Sequence, residues 1–397
     1  DTLFTVQILT AAYVIIVHKS TIRLSRWERS GAVFSRNVDY IENPSVLAEI
    51  FWLGAGLPDV LTDVQLGIDP TATPILPGST EYNLMDRLAE PRADDFPYDE
   101  GAVIEGDPDD PSRVFKYVRE TLTDSLQRWK DSPFCATSRW KVSVPTKDGG
   151  TREFLIGPPF YYCNKPDVDA RNGRVYVAID CATEKFVFLK DVWRFKDVDH
   201  VSEREGLVLK RLNEAGVPYV PTLLCDAELP DQRTNTPQIL ESYQEDEEIV
   251  EAPPELQHYR MVVSEVCFAM SSWFKTGRQL VSTIRDCVVA HSRAVEVLGR
   301  IHCDISPGNI MAYPRLEVSP ETGKPTVRWE GMLIDWELNR RLKEDSHVPY
   351  RMTLQRTWAF VSHEYLQDRN KVLVISDELE SFLYALLYIA VRFLRSN

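Results

Sequence analysis

The stretch "GRIHCDISPGNIM" (299–311) constrains this chain more than any other. It follows a long amphipathic pattern and precedes a short apolar run, and Pro307 and Gly308 forbid one uninterrupted helix through it. The backbone must turn, and the turn can aim Asp304 and Asn309 at one point. Downstream, "GMLIDWELN" (331–339) is an apolar strand pattern ending at Asp335. Upstream, "KFVFLKDVW" (185–193) carries Lys190, and "SEREGLVLKRLNEAG" (202–216) is a helix pattern carrying Glu205. In chain order these are Lys, Glu, Asp, Asn and Asp. Phosphoryl transfer from ATP needs those chemical types: a cation for the phosphates, a carboxylate to hold that cation, a carboxylate base, and an amide and a carboxylate as oxygen ligands for Mg²⁺.

Each residue alone has a plainer reading. Lys190 could be a strand-end lysine. Glu205 could be the capping-box partner of Ser202, with Glu203 as the alternative pairing acid. Asp335 could merely end a strand, and H-x-D-x-x-x-x-N by itself is a weak signal. The order of all five, each at the end of a predicted element, separates the set from chance.

The flanking pattern predicts a small strand-rich lobe followed by a helical one. Strands are expected within 2–36, 173–180, 185–193, 259–268, 309–313 and 327–335. A hairpin is expected over 141–157, turning at Asp148-Gly149-Gly150. Helices are expected near 43–57, 111–131, 202–216, 278–299 and 377–394. Residues 64–110, rich in Pro, Asp and Gly, read as irregular, and the acid- and Pro-rich stretch 226–257 reads as a solvated loop.

The formal net charge of −15 disfavours unguided binding to nucleic acid or anionic membrane. The seven cysteines, Cys135, Cys163, Cys181, Cys225, Cys267, Cys287 and Cys303, are scattered and form no C-x-x-C pair, so a zinc site or disulfide framework is not expected. Reduced thiols in an intracellular compartment, cytoplasmic or nuclear, are the expectation. The apolar runs at 6–17 and 382–394 are shorter than the ~20 residues that a membrane span needs. No signal-peptide pattern is visible, and the start at Asp1 reads as a trimmed one.

"HCDISPGN" resembles the H-R-D-x-x-x-x-N loop of the protein-kinase superfamily, and "IDWE" stands where those enzymes have D-F-G. More narrowly, "IRLSRWERSGAVFS", "GRVYVAID", "VFLKDVWR", "HCDISPGNI" and "LIDWEL" together resemble the fungal-type protein kinase family. The resemblance implies an α+β, bilobal protein-kinase-like fold: a β-rich N-lobe over about 151–270, and a helical C-lobe over 271–397, truncated after the helix at 377–394. An extra α/β region (1–150) would precede them, a possible surface for a protein partner. It implies ATP and Mg²⁺ as cofactors and a protein Ser/Thr hydroxyl as acceptor. Asp304 becomes the base, Lys190 the phosphate-binding cation paired with Glu205, and Asn309 and Asp335 the metal ligands. His302 is structural. Thr357 faces the substrate and Glu364 closes the activation segment in "RTWAFVSHEY". Asp377 anchors the catalytic loop from the following helix.

Four departures qualify these roles. Only Gly173 stands near the phosphate lid, after "NKPDVDARN" (164–172), where relatives carry three glycines. Cys303 replaces an Arg, Ser306 a Lys, and Glu337 the Gly of D-F-G. Two other classes therefore stand beside an active protein kinase. One is a pseudokinase-type nucleotide-binding or scaffolding module. The other is a small-molecule phosphotransferase of the aminoglycoside- or choline-kinase kind, against which the "RTWAFVSHEY" segment argues.

Overall fold

The computed structural model describes residues 8–60, 64–128, 139–162, 173–195, 203–242, 253–269, 274, 276–342, 357–368 and 371–394. Four short strands come first: β1 (Ala11–His18), β2 (Thr21–Glu28), β3 (Gly31–Phe34) and β4 (Val38–Asp39). They form a four-stranded antiparallel sheet with β2 at its centre. Helix α1 (Pro44–Val60) follows, as the Asn43-Pro44 start predicts.

The expectation of irregular structure over 64–110 is corrected here. Strand β5 (Ala72–Pro74) and helix α2 (Thr80–Ala89) lie inside it. Ser79 caps α2 by accepting the Tyr82 N–H, and Leu84, Met85 and Ala89 face the core. The flanking Pro and Asp residues dilute the pattern over a window longer than the helix itself. Helix α3 (Lys116–Arg128) starts later than its periodicity suggests, because Phe96 and Phe115 form a bridge just before it.

A large sheet holds the upper lobe together. It contains β6 (Trp140–Pro145), β7 (Thr151–Ile156), β8 (Tyr161–Tyr162), β9 (Arg174–Asp180), β10 (Phe186–Phe195), β11 (Leu223–Arg233) and β12 (Leu256–Val263), and β5 joins it at one edge. Gly149, at φ +84°, makes the β6–β7 turn where the sequence places it. Because β5 and β6 belong to this sheet, it runs across the expected division at residue 150. Strand β11 and helix α5 (Thr236–Ser242) occupy much of what reads as the loop 226–257; residues 243–252 lie outside the described set.

The two faces of β10 and β12 do different work. Alternation puts Asp191, His258 and Arg260 on the outer face. There Arg260, fully buried, reaches Asp69 and Asp191, and His258 bonds Asp191 at 2.5 Å. Residues from the N-terminal region thus seal that face. The inner face carries Lys190, Val192, Arg194, Tyr259 and Met261 toward helix α4 (Glu205–Glu214) and the helical lobe.

That second lobe begins after β13 (Phe268–Ala269) with the long helix α6 (Gly277–Leu298), opened by a Thr276/Gln279 capping box and closed by Gly299 at φ +63°. Strands β14 (Arg300–Ile301), β15 (Ile310–Val318), β16 (Pro325–Leu333) and β17 (Arg340–Arg341) carry the loops of interest. The β15–β16 hairpin turns at 319–324, as the Ser-Pro-Glu-Thr-Gly run suggests. Gly331 on β16 is required: a Cβ there would fall 2.1 Å from the Thr283 carbonyl oxygen of α6. Short α7 (His363–Gln367) and α8 (Ile375–Phe393) are the last described helices, α8 packing on α6 through its buried face of Phe382, Ala385 and Ile389. Among the described residues no helix is long and apolar enough to cross a membrane.

Candidate active site

Four elements converge beneath the inner face of the large sheet. Lys190 projects from β10, and its Nζ lies 2.6 Å from Glu205 Oε2 and 2.7 Å from Asp335 Oδ1. Burial alone would lower the lysine's pKa; the Asp335 and Glu205 carboxylates outweigh it and raise it. Burial pushes Glu205 up to about 7, against the pull of Lys190.

The capping-box reading of Glu205 is corrected by this geometry. Helix α4 begins at Glu205, its N-cap residue is Arg204 with no side-chain cap bond, and Ser202 lies outside the described residues. The Glu205 carboxylate turns inward. One oxygen holds Lys190 and the other accepts the Trp336 backbone N–H at 3.0 Å. The alternative acid, Glu203, pairs with Arg211 and Arg300 and not with Lys190. Gly206 allows this seat: a Cβ there would meet the Asp226 side chain at 2.4 Å.

Asp335 lies two residues past the end of β16, in the left-handed region, φ 62° and ψ 63°. For a residue with a Cβ that conformation costs about 1–2 kcal/mol. Trp336, fully buried, anchors the turn by donating its indole N–H to the Leu333 carbonyl at 3.0 Å. His302 packs edge-on against its ring, the centroids 4.7 Å apart.

The loop after β14 is tied from three sides. His302 accepts the Asp304 N–H at Nδ1 (3.3 Å) and donates from Nε2 to the Ile334 carbonyl (2.9 Å), which requires the neutral Nε2–H tautomer. Burial lowers its pKa and favours that form. Asn309 donates its Nδ2 to the Asp304 carbonyl (2.7 Å) and to Asp304 Oδ2 (3.1 Å), and the Ile334 N–H returns to the Asn309 carbonyl at 3.0 Å. Asp304 Oδ1 accepts the Thr357 N–H at 2.9 Å, so the segment after the undescribed residues 343–356 meets the loop that carries Asp304.

One expected role moves to a neighbour. Asp377 does not anchor the loop: its carboxylate takes Ser362 Oγ (2.7 Å), Lys371 Nζ (2.6 Å) and the Val374 N–H (2.9 Å). Glu378 is the anchor. Its Oε2 accepts both the His302 and the Cys303 N–H at 3.0 Å, and His291 Nε2 stands 3.3 Å away. In "SDELES" three acids crowd one turn, and only the tilt of α8 decides which of them faces inward. Glu364 lies in the first turn of α7, exposed, and pairs with Lys371 at 2.7 Å.

The departures also have structural outcomes. Cys303, at φ 70°, packs among Ile301, Leu338, Val361, Tyr365 and Leu373, an apolar setting in place of an arginine's. Ser306 is buried and its carbonyl accepts the Asn309 N–H. Glu337 pairs with Arg194, a partner that the sequence pattern does not reveal. Gly173 stands just before β9, and the stretch 163–172 ahead of it lies outside the described residues.

Asn309 and Asp335 fit an Mg²⁺ site by the chemistry of the donor set. Asn309 commits its amide nitrogen to Asp304, which turns its oxygen the other way, and the Asp335 carboxylate is one-third exposed. One or two protein oxygens with phosphates and water suffice for this ion. Among the described residues no cluster of three His, Cys, Asp or Glu side chains could form an all-protein metal cage.

A strand-rich lobe on a helical one, a lysine–glutamate pair under the sheet and an H-x-D-x-x-x-x-N loop beside an aspartate just past a strand define a protein-kinase-like fold. The chain belongs to the fungal protein kinase family, whose model matches residues 133–390. Among solved structures, the ROP18 kinase domain in complex with AMP-PNP and sucrose is similar at 14% identity and a TM-score of 0.36, with 64% of this chain and 68% of that one covered. No curated protein matches the sequence.

Proposed function

We propose that this protein transfers the γ-phosphoryl group of ATP to a Ser or Thr hydroxyl of a protein. The carrying observation is Lys190 Nζ held between Glu205 and Asp335. Such an ammonium can bridge phosphate oxygens, and its position is fixed before any nucleotide arrives. Asp304, its two oxygens oriented by Asn309 and the Thr357 N–H, is placed to orient the acceptor hydroxyl and take its proton. As the acceptor oxygen bonds to the γ-phosphorus, the bond to the β,γ-bridging oxygen breaks and ADP departs. Asn309 and Asp335 would hold Mg²⁺, which neutralises charge developing on the phosphates.

The Thr357 contact supports a protein acceptor, since it lays a backbone segment along the catalytic loop. The hairpin β1–β2 supports a protein partner at the N-terminal region, because Tyr13, Val14, Ile15, Ile16 and Val17 are exposed there. ATP and Mg²⁺ as cofactors go with an intracellular setting.

Purified chain incubated with labelled ATP, Mg²⁺ and a generic basic protein should transfer label to itself or to that protein. Asp304→Asn should lower transfer by roughly 10²–10⁴-fold. Equal labelling by the variant, or none by the wild type, contradicts the reading.

A further inference from the structure

Strand β10 carries two cations on its inner face, Lys190 and, four positions on, Arg194. The turn after β16 carries two carboxylates, Asp335 and, two positions on, Glu337. They pair in parallel. Lys190 reaches Asp335, and Arg194 Nε reaches Glu337 Oε1 at 3.1 Å. Arg194 also donates from Nη1 to Glu228 Oε1 at 3.0 Å and lies over the Tyr259 ring, so its own position is fixed.

The two pairs differ in exposure. The Lys190 and Asp335 side chains are 14% and 33% exposed, whereas those of Arg194 and Glu337 are 5% and 6%. A pair that deep is weak evidence for stability, because desolvation offsets the attraction. Its effect is geometric. Turning the segment over would strip Glu337 from Arg194, leave a buried guanidinium without that partner, and pull the buried Trp336 from its bond to Glu205.

We propose that Arg194 and Glu337 are positioning residues: their ion pair clamps the turn so that Asp335 faces Lys190, presetting the carboxylate for Mg²⁺ bound to ATP. A glycine at this place would leave the backbone freer to rotate; Glu337 gives it a second point of attachment to β10. The inference rests on the phosphoryl-transfer reading.

The test uses the full chain, with Glu337→Gln, Arg194→Met and the double variant Arg194→Met/Glu337→Leu, which replaces both charges by apolar groups and guards against a folding defect. In the nucleotide-free chain, hydrogen–deuterium exchange over 334–341 should rise in all three, while exchange in α6 stays at the wild-type level. ATP affinity without Mg²⁺ should hold, and the Mg²⁺ concentration that half-saturates ATP binding should rise by about tenfold, the scale for losing a residue that orients a metal ligand. The double variant should lose no more than either single one, because both act through one pair. Wild-type exchange over 334–341 and an unchanged Mg²⁺ requirement in folded variants overturn the clamp. A wild-type chain that binds no Mg-ATP overturns the transfer reading instead, and the clamp's catalytic meaning with it.

Discussion

Lys190 Nζ donates to Asp335 Oδ1 at 2.7 Å although 145 positions separate the two residues in the chain. One lies on an interior strand of the upper lobe's sheet and the other just past a hairpin in the lower lobe. In the proposed reaction their contact, with Glu205 closing the other side of the ammonium, would set where the triphosphate sits.

Replacing that ammonium should therefore remove catalysis. Lys190→Ala should reduce phosphoryl transfer by at least about 10²-fold, and because it leaves the buried Glu205 without its cation it should also cost stability on the scale of a buried pair broken from one side, about 3–5 kcal/mol. Lys190→Arg should not restore activity, because a planar fork cannot replace a compact point charge between two carboxylates. Single-turnover transfer and a melting curve on each variant check both statements.

Glu205 gives a pH signature. Its carboxyl is pushed from 4.5 up to about 7 by burial. Between those values the folded state holds a proton that the unfolded chain has released, so this group's contribution to stability falls as pH rises through the window. The stability difference between the wild type and Glu205→Gln should shrink from pH 5 to pH 7.5. Denaturant titrations at three pH values measure it, and a difference that grows contradicts the assignment.

Glu378 and Asp377 should separate by readout. Glu378→Ala strands two buried N–H groups at about 1–3 kcal/mol each and frees the loop under Asp304, so kcat should fall more than tenfold with a smaller change in KM. A shift of about 1 Å at a reacting group costs roughly 10² in rate. Glu378→Gln keeps an accepting oxygen and should recover most of the loss. Asp377→Ala, which unpairs Ser362 and Lys371 instead, should lower stability more than kcat.

Asp69 tests whether the N-terminal region and the upper lobe are one cooperative unit. It accepts from Arg260 and, at 2.7 Å, from Gln232 Nε2, two buried bonds, and also from the Thr71 N–H and hydroxyl. Asp69→Ala should cost about 3–5 kcal/mol, the scale for breaking a buried pair from one side. A loss under 1 kcal/mol by equilibrium unfolding would separate the two parts.

Much of this arrangement is legible in the residues, and the remainder fails for physical reasons. The strand runs at 173–180 and 185–193 and the Asp148-Gly149-Gly150 turn are local signals, and the structure follows them. The order of Lys190, Glu205, Asp304, Asn309 and Asp335 is kept, although Lys190 lies within β10 and not at its end; Glu205 opens α4, and the other three lie in the turns beside β15 and β16. Helix α2 hides because Pro and Asp surround a ten-residue pattern. Strand β11 hides because it is acidic and half-exposed, and its edge position in the sheet tolerates that composition. Choosing Glu378 over Asp377, or finding Arg194 opposite Glu337, depends on tertiary approach, which no periodicity encodes.

The central claim is that this cleft binds ATP with Mg²⁺ through Asp335. Calorimetric titration of the full chain with ATP, with and without Mg²⁺, for the wild type and Asp335→Asn, tests it most directly. Binding that strengthens with Mg²⁺ in the wild type, and loses about tenfold or more of that gain in the variant, is the predicted result. No binding, or binding indifferent to both Mg²⁺ and the substitution, would contradict it.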